Sequence, residues 1–487
     1  MNGFDLAFYQ QAIWNTTQGR FLEVSATDFS SSLLGTDVVL IYTLMAPFYL
    51  LLPSPLTLLV LETIVVGLGA VPIYLLARDK LKNAWAGLGL ALVYLLLPVV
   101  QNGNLYELRE RQMAAACLLF AFYFWYKQRL GWFSLFAVLA LCCRPENGLV
   151  LVMLGLYGWL SGKPWLTGKR PKPVQPEQLT GEPATKEKPN YWRIWLPVVL
   201  GLAWFGAALL VIRAASVGGN FALGSTFAGG SPISAVTTIF TNPVEGFRQL
   251  FPTGQVLLGK LLYIPLLLLP LAFLPLLRPL PLLMALPPVG LNLLAGERRE
   301  IQWNPFDYHY QASVIPWLMV ATIFALAALT ERPPRFLRRL GPKPVVVFSA
   351  GLIGLVLLVN IWVNLVRIEV PGVPPVKNGW AAILSRKDDA RWAGGKELLK
   401  QVPADAPLAI SNTWAPYVPP RQGLWLFARR ALYSMHPEQS AKFIFADVRN
   451  PASEEAQLAA EILATGQWRK QAEASGYVLL ARIEGRT

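Results

Sequence analysis

The sequence predicts an α-helical polytopic membrane protein with a small carboxyl-terminal α/β domain. The chain is 54% hydrophobic with only 15% charged residues, whereas a soluble domain carries about 25% charged residues. Leu56–Ala77 holds a single charged residue, Glu62, in a stretch long enough to cross the ~30 Å hydrocarbon layer. Basic residues also concentrate in alternate connections between such stretches, as expected of polytopic membrane proteins.

About ten apolar segments are predicted to cross the membrane. They are 56–77, 83–101, 112–126, 131–143, 147–160, 194–212, 258–277, 281–295, 311–329 and 344–366. The fourth and fifth segments are short and meet at the polar sequence Arg144-Pro145-Glu146-Asn147. They are therefore either full crossings or two half-helices that meet at a polar break.

The basic residues assign the connections to two sides of the membrane. Counting crossings places the main basic connections, together with Arg278, on one side, which is the cytoplasm by the positive-inside rule. These connections are 78–82, 127–129, 163–193 and 332–343. Residues 162–192, rich in proline and charge, are predicted to form a disordered cytoplasmic loop. The remaining connections are then extracytoplasmic: 1–55, 102–111, 144–146, 213–257, 296–310 and the chain beyond 366.

The segment Val38–Leu52 allows two interpretations. It is apolar enough to enter the membrane, but it is short and contains Pro47. A crossing there would place residues 1–37 in the cytoplasm, whereas an interfacial or re-entrant helix keeps them outside. We favour the second, which predicts a first outer loop with an interfacial helix (1–55) followed by a transmembrane domain (56–366).

After residue 366 the composition changes to that of a small soluble domain, predicted at 372–487 on the outer side. Helices are expected at 388–401 and 453–465, and strands at 407–411, 423–427, 442–448 and 477–483. The region contains no glycine-rich phosphate loop and no nucleophile elbow. We therefore interpret it as a structural lid or a binding module rather than an independent catalytic domain.

The net charge of +14 could point to nucleic acid. Most of the excess lysine and arginine lies beside apolar segments, so the positive-inside rule explains it and no nucleic-acid partner is expected.

Cys117, Cys142 and Cys143 lie in apolar segments, and adjacent cysteines do not normally pair, so no disulfide framework is expected. Only His309 and His436 could supply imidazole, and no set of heavy-metal ligands with usable spacing occurs.

Four groups of ionisable residues fall in connections assigned to the outer side. They are Asp5 with Asp28 and Asp37; Glu107, Arg109, Glu110 and Arg111; Arg144 with Glu146; and Glu297, Arg298, Arg299 and Glu300 with Asp307, Tyr308, His309 and Tyr310. Because a bare charge in hydrocarbon is costly, several charges on one membrane face indicate a water-filled cavity.

Each group also has a purely structural interpretation. Asp5 and Asp37 could cap helices, and Glu107 could form a surface i,i+4 pair with Arg111. The third group could satisfy backbone interrupted by proline, and the fourth could belong to an interfacial aromatic belt. The groups are more informative together, because a count of crossings that ignored them places all four on one side.

Several stretches resemble a family of bacterial polytopic membrane proteins. Residues 4–20 (FDLAFYQQAIWNTTQGR) resemble the family's first outer loop, which reads Phe-Asp-Leu followed by Gln-Ala-x-Trp-Asn. The resemblance continues over 46–62, 69–78, 104–108, 309–318 and 410–427, and so covers nearly the whole chain. That family in turn resembles the GT-C membrane glycosyltransferases, which include the protein mannosyltransferases and the aminoarabinose transferases of lipid A.

The resemblance implies a GT-C-like fold in a bacterial cytoplasmic membrane. It also implies transfer of a sugar, with inversion, from a polyprenyl-phosphate donor to an acceptor that remains to be identified. Asp5 matches the acid of the family's first outer loop and is the expected general base, with Asp37 or Glu107 assisting. A divalent metal, Mg or Mn, is compatible with this chemistry but is not required by it.

Basic residues are implied to hold the donor phosphate and to stabilise the charge that develops on it. The candidates are Arg109, Arg111, Arg144 and Arg298. His309 and Tyr310 match a His-Tyr pair of the family and are expected to bind substrate. The implied partners are thus membrane lipid and a polyprenyl-phosphate-linked sugar.

The chain departs from the family pattern at three polar positions. They are Asp37 in a motif that tends to Gly-Asp-His, Arg109 with Arg111 where the family tends to His and Glu, and Arg144-Pro145-Glu146 in place of a Lys-Glu-Asp-like cluster. These changes point to an altered substrate or a lost activity. Relatives are expected to begin with a membrane helix before the Phe-Asp motif, which suggests a late start or a truncated copy.

Two other functions fit the composition. A transporter or lipid-handling protein would distribute charges along a pathway through the membrane and show repeat symmetry. Here the charges gather at one face and the sequence shows no inverted repeat. A catalytically inactive scaffold, whose outer domain binds a partner, would keep the fold without needing Asp5 as a base.

Overall fold

The computed structural model describes residues 3–25, 30–161, 191–216, 232–251, 254–295, 302–306, 308–333, 335, 339, 342–365, 391–428 and 440–483. Across these residues the chain is mostly helical, with one five-stranded sheet near its carboxyl end. The predicted cytoplasmic loop at 162–192 lies outside the described residues except for Tyr191 and Trp192.

The described residues form 18 α-helices. They are α1 (Phe4–Thr17), α2 (Ile41–Leu51), α3 (Pro55–Leu68), α4 (Ala70–Leu81), α5 (Ala84–Leu96), α6 (Pro98–Asn104), α7 (Glu110–Tyr126), α8 (Leu130–Cys143), α9 (Asn147–Ser161), α10 (Trp192–Ala215), α11 (Pro232–Thr241), α12 (Pro243–Leu250), α13 (Gln255–Leu268), α14 (Leu286–Leu293), α15 (Ile315–Glu331), α16 (Pro342–Leu365), α17 (Arg391–Leu399) and α18 (Glu454–Ala464). Short 3-10 helices lie at Leu33–Gly35, Leu269–Leu271, Leu274–Leu277, Leu280–Ala285 and Asn412–Tyr417.

Helical structure overlaps each of the ten predicted segments, but few of the helices are long. Pro55–Leu81 and Trp192–Ala215 are long and apolar enough to cross a membrane. Ala84–Leu96 and Pro98–Asn104 would together form a third span, bent by 49°, because Leu97 before the proline is extended rather than helical. Among the other described apolar helices, α16 spans 24 residues and the rest are shorter. The prediction of apolar membrane helices therefore holds, and the number of ten crossings stays a prediction.

The outer surface of the helical part is apolar. On α3, the side chains of Leu56, Val60 and Ile64 are exposed at successive turns of one face. In water such a contiguous surface would be unfavourable, at about 25 cal/mol per Å² of exposed apolar area. By contrast, α7 and α15 are buried along most of their length and form the centre of the bundle. Lipid therefore accounts for the outside of the bundle, and helix packing accounts for its centre.

Small residues allow α9 and α10 to approach closely. A Cβ atom added at Gly148 would collide with the carbonyl oxygen of Gly201, and one added at Gly201 would collide with that of Gly148. Lipid tails are as apolar as leucine, so membrane helices associate through this kind of close backbone packing. Gly206, further along α10, has no atom within 4 Å of such a Cβ position.

We predict that Gly201→Ala destabilises the protein by about 1–3 kcal/mol, because overpacking moves one helix away from the other. Gly206→Ala is the matched control on the same helix. It should be neutral or stabilising by up to about 1 kcal/mol, since alanine has the better helix propensity. Denaturant unfolding of both variants in lipid nanodiscs measures the difference. Equal effects of the two substitutions would contradict the proposed contact.

The carboxyl-terminal sheet has the order β2-β1-β3-β5-β4. Its strands are β1 (Leu408–Ile410), β2 (Leu424–Leu426), β3 (Phe443–Asp447), β4 (Trp468–Ala474) and β5 (Tyr477–Arg482). Strands β1, β2 and β3 are parallel, with Leu408 paired to both Leu424 and Phe443, while β5 is antiparallel to β3 and β4. Four strands and both helices lie within or overlap the predicted segments, whereas β4 was not predicted.

The α/β domain contacts the amino-terminal helix α1 directly. The backbone N–H of Gly3 donates to Asn412 Oδ1 at 3.1 Å. The Gln11 side chain donates to the carbonyl oxygens of Arg421 and Gln422 at 2.9 and 2.8 Å. Helix α1, which carries Asp5, and the α/β domain therefore lie on the same side of the helical bundle.

Helix α2 lies in the segment with two interpretations. Its 11 residues span about 16 Å, roughly half the hydrocarbon thickness. It packs on α1 through the rings of Tyr42 and Tyr9, whose centroids are 4.8 Å apart, and through Tyr49, whose hydroxyl accepts from Gln10 at 2.9 Å. Alone it is too short to cross, and leucines on its other face are exposed.

Candidate functional site

Three of the predicted outer connections, 1–55, 102–111 and 144–146, meet helix α3 at the amino end of the central helix α7. They bring together a set of ionisable side chains that we call the charged cluster. Its members are Asp5, Asp37, Glu62, Glu107, Arg109, Glu110, Arg111, Arg144 and Glu146, which are joined by ion pairs or hydrogen bonds. The sequence predicts that these connections share one side of the membrane, and the structure places their side chains in contact.

A second set of charges lies at the opposite end of α7. Lys127, just after the helix, pairs with Asp79 at 3.0 Å, and Lys80 lies over the ring of Tyr126 at 4.7 Å. The 17 residues of α7 separate the two ends by about 25 Å. This separation is close to the ~30 Å thickness of a bilayer's hydrocarbon core, so the two charged ends fit its two surfaces.

Arg109 connects α7 to α1. Its guanidinium forms an ion pair with the carboxylate of Asp5 and lies over the rings of Tyr9 and Tyr106. Its backbone N–H donates to Glu62 Oε1 at 3.0 Å. Asp5 is the more accessible partner, with 37% of its side chain exposed against 9% for Arg109. Asp5 occupies the first turn of α1, whose N-cap is Gly3, so its role is the ion pair rather than a cap.

Glu107 lies next to Asp5 at the start of α1. The backbone N–H of Leu6 donates to Glu107 Oε2 at 2.8 Å, so a side chain from a distant connection satisfies the amino end of this helix. Glu107 Oε1 has no hydrogen-bond partner among the described residues. Burial, together with the nearby Asp5 carboxylate, raises the pKa of Glu107 to about 8. Two adjacent carboxyl groups thus differ in environment, one accessible and ion-paired, the other buried and protonated at neutral pH.

The raised pKa of Glu107 predicts a pH-dependent stability. Its pKa is about 8 in the folded protein against an ordinary value of 4.5, so the folded state binds this proton more tightly than the unfolded state. The resulting stabilisation is complete below about pH 4.5 and is lost as the pH rises through about 8. In Glu107→Gln the side chain is neutral throughout. The thermal midpoint of the wild type in nanodiscs should therefore fall relative to that of Glu107→Gln between pH 5 and 8.

Glu23→Gln is the control for this measurement, because Glu23 is a half-exposed carboxylate on the same amino-terminal segment. The difference between wild type and Glu23→Gln should stay nearly constant over the same range. A constant difference for Glu107→Gln as well would show that Glu107 is ionised in the folded protein at pH 7.

Arg144 connects the α8–α9 break to two other elements. Its guanidinium lies 2.7 Å from Asp37, 3.3 Å from Glu110 and 3.1 Å from Glu146. Arg111 makes a second contact with Glu146 at 2.8 Å. Asp37 therefore does not cap α2, whose N-cap is Leu40 without a side-chain bond. The predicted alternative pair of Glu107 with Arg111 is likewise replaced by longer-range contacts.

The carboxylates around Arg144 differ in their proton affinity. Burial raises the pKa of Asp37, and the opposing attraction of Arg144 does not fully offset it. Burial acts in the same direction on Glu146, but Arg144 and Arg111 together outweigh it and lower the pKa of Glu146 to about 2. Glu146 is thus a permanent anion that holds both arginines, whereas Asp37 is the more easily protonated group.

We predict that Arg144→Met destabilises the protein by about 3–5 kcal/mol, because it leaves buried carboxylates without their cation. Arg144→Lys should be intermediate, since a single ammonium cannot contact three carboxylates as a guanidinium does. Lys400→Met removes an exposed ion pair with Glu397 and should change stability by less than about 1 kcal/mol. Denaturant unfolding in nanodiscs compares the three variants, and similar losses for Arg144 and Lys400 would contradict the structural role of Arg144.

His309 and Tyr310 lie at the edge of the charged cluster. Their ring centroids are 4.2 Å apart, and Arg111 lies over the ring of Tyr310 at 5.5 Å. Burial, and next the positive charge of Arg109, lower the pKa of His309 well below its usual range. His309 is therefore a neutral imidazole, and its Nδ1 has no hydrogen-bond partner among the described residues.

The structure brings together eight of the nine predicted site residues. Arg298 lies outside the described residues, as do Asp28, Asp307 and His436. Glu62 was not predicted as a site residue, although it belongs to the charged cluster. The sequence could have identified Glu62, because a lone carboxylate inside a membrane span indicates a functional position by default.

A divalent metal has no evident ligand set in the described part of the chain. No group of three or more histidine, cysteine, aspartate or glutamate side chains there could hold an ion. The carboxylates of Asp5, Asp37 and Glu146 are all engaged by arginines. The residues described thus do not fit Mg or Mn.

A separate crevice of about 490 Å³ opens in the α/β domain. It lies at the carboxyl ends of the parallel strands, between β1 and β3, whose onward connections lead toward opposite edges of the sheet. Its lining consists of Asn412, Leu426, Ala428, Asp447, Arg449, Asn450, Ser453, Glu454 and Glu455. Asn412 also accepts from Gly3 on α1, so the crevice adjoins the helix that carries Asp5.

An apolar bundle of helices with a charged layer at each end, joined to a small α/β domain, defines a membrane-embedded class of protein. Residues 1–479 match a family of predicted membrane proteins, DUF2079, and the chain belongs to that family. A comparison with functionally curated proteins finds no match. The prediction of a membrane-protein family is thereby confirmed, while the resemblance to GT-C enzymes stays a prediction.

Proposed function

We propose that this protein is a membrane glycosyltransferase of the GT-C type, located in a bacterial cytoplasmic membrane. It transfers a sugar from a polyprenyl-phosphate donor to an acceptor on the outer face. The observation that carries the proposal is the pair of adjacent carboxyl groups, Asp5 and Glu107, beside Arg109 at one end of an apolar bundle. This arrangement offers a proton acceptor and a cation at the depth where a lipid-linked phosphate would lie.

The proposed reaction is a single displacement at the anomeric carbon of the sugar. The acceptor hydroxyl oxygen forms a bond to that carbon, and the bond from the carbon to the phosphate oxygen breaks with its electron pair. The Asp5 carboxylate takes the hydroxyl proton, and the lipid phosphate leaves as an anion. Asp5 suits this role because 37% of its side chain is exposed, whereas Glu107 is buried and holds its own proton up to about pH 8.

The arginines of the charged cluster would stabilise the departing phosphate. Arg109, Arg111 and Arg144 each already contact a carboxylate. The cluster contains six carboxyl groups against three guanidinium groups, so an anionic donor binds best when some of the acids are protonated. Glu107 and Asp37, whose pKa values are raised, are the groups that reduce this repulsion. His309 and Tyr310 line the same region and would contact the sugar.

The ten crossings and the outer location of the site belong to this proposal. Basic residues dominate the end of α7 near Lys127 and Lys80, which is the cytoplasmic end by the positive-inside rule. The charged cluster and the α/β domain would then face outward. The break between α8 and α9, which carries Arg144 of the charged cluster, would then lie at the outer face, and the break between α5 and α6 would interrupt a span.

The alternative of a transporter has less support. Between the two charged ends, α7 presents buried small and apolar residues such as Ala114, Ala115 and Leu118, so no polar pathway follows this helix.

The alternative of a binding scaffold is favoured by one observation, the crevice of the α/β domain. Its acidic and amide side chains would suit a polar small molecule, and it requires no contribution from Asp5.

We predict that Asp5→Asn lowers sugar transfer by about 10²–10⁴-fold, the usual contribution of a general base. The measurement uses the full-length protein in nanodiscs, first screened against a panel of undecaprenyl-phosphate sugars with mixed cell-envelope acceptors. Glu23→Gln, which neutralises a half-exposed carboxylate of the same amino-terminal segment, is the control and should retain activity.

Transfer by Asp5→Asn at the wild-type rate would reject Asp5 as the base. If the wild type transfers no sugar from any donor of the panel, the enzyme proposal fails and the scaffold alternative is preferred. Both results assume that the variants elute as monodisperse protein, which size-exclusion chromatography checks.

A further inference from the structure

Helices α11 and α12 form a short hairpin that emerges from the helical bundle. We call residues 232–250 the amphipathic hairpin. It lies in the chain between the carboxyl end of α10 and the amino end of α13. The carbonyl oxygen of Ala215, the last residue of α10, accepts from Ser30 at 2.8 Å. Near the start of α13, Lys260 lies over the ring of Trp303 at 4.8 Å. A Cβ atom at Gly35, two residues before Asp37, would lie 2.7 Å from the same carbonyl oxygen of Ala215, so α10 ends beside the charged cluster. Tyr263 of α13 donates to Gln311, next to Tyr310 at the edge of the cluster.

The two helices of the hairpin are too short to be stable alone. They contain 10 and 8 residues, and isolated helices below about 12–15 residues are marginal in water. They pack closely on each other, because a Cβ atom at Gly246 would lie 2.6 Å from the Cα atom of Ile239. In the described part of the chain, their extensive packing is with each other rather than with the rest of the bundle. The described part of the bundle therefore gives the hairpin little support.

Large apolar side chains of the hairpin are left uncovered. Phe240 is 80% exposed, Val244 is 71% exposed and Phe247 is 63% exposed. Helix α12 also carries charge, with Glu245 and Arg248 forming a pair at 3.6 Å, and 75% of the Arg248 side chain is exposed. One short element thus combines exposed aromatic residues with exposed charge, which is the composition of helices that lie in a membrane interface.

The hairpin adjoins the apolar outer surface of the bundle. The exposed apolar surface continues onto both flanking helices, through Leu210 on α10 and Leu261 on α13. Those helices belong to the lipid-facing outside of the bundle, so the hairpin is an extension of that surface at the bundle's end. We propose that the amphipathic hairpin lies flat in the membrane interface on the side of the charged cluster, with Phe240 and Phe247 inserted among the acyl chains and Arg248 in the headgroup region. This inference is independent of the proposed glycosyl transfer.

Site-directed spin labelling of the full-length protein in phospholipid nanodiscs tests the proposal. Single cysteines are introduced as Phe240→Cys, Phe247→Cys and, as the matched control on the same helix, Arg248→Cys. Cys142 is replaced by alanine in all variants, because Cys117 and Cys143 are buried but Cys142 is partly exposed. The same background without an added cysteine reports residual labelling. Collision with oxygen, which concentrates in lipid, is compared with collision with a water-soluble nickel chelate.

Labels at residues 240 and 247 should collide several-fold more with oxygen than with the nickel chelate, while the label at residue 248 should show the opposite preference. Equal access of the chelate to residues 247 and 248 would place the hairpin in water and overturn the proposal. Protection of residue 247 from both reagents would also overturn it, since that result means that protein rather than lipid covers the aromatic face.

Discussion

Contacts between arginines and carboxylates at the amino end of α7 hold the surrounding segments in place. Arg109 joins α7 to α1 through Asp5, and Arg144 joins the α8–α9 break to α7 and to Asp37. A buried arginine without its carboxylates would cost several kcal/mol, and the same is true of each carboxylate without its arginine. The chain must therefore adopt an arrangement in which segments far apart in sequence supply each other's counter-charges.

Because lipid surrounds the bundle, these ion pairs have a large effect on how the helices are arranged. The outside of the bundle is apolar and its centre is closely packed around small residues, so apolar packing alone distinguishes poorly between arrangements of the helices. Single hydrogen bonds join helices within the bundle, as where Tyr94 donates to the carbonyl oxygen of Val66 and Asn360 donates to that of Pro270. The described ion pairs of the bundle, by contrast, gather at its two ends. The end that holds Arg109 and Arg144 also has buried acids with displaced pKa values, which is the environment that favours proton-transfer chemistry.

The α/β domain extends this end of the molecule rather than forming a separate body. Its first connection supplies Asn412, which accepts from the start of α1, and its crevice opens beside the same residue. A molecule bound in the crevice would therefore lie near the helix that carries Asp5. The role of lid or binding module stays a prediction, which this contact between the domain and α1 leaves open.

The sequence by itself determined which segments are apolar helices and where four of the five strands lie, since apolar periodicity and charge are local properties. Strand β4 escaped prediction because it is an edge strand of mostly polar residues, Trp468–Ala474, with one face in solvent. Only the tertiary structure decided the charge partners. Asp37 pairs with Arg144 instead of capping a helix, and Glu62 accepts from the backbone of Arg109. Those choices depend on how the helices pack across long sequence separations, which no local pattern encodes.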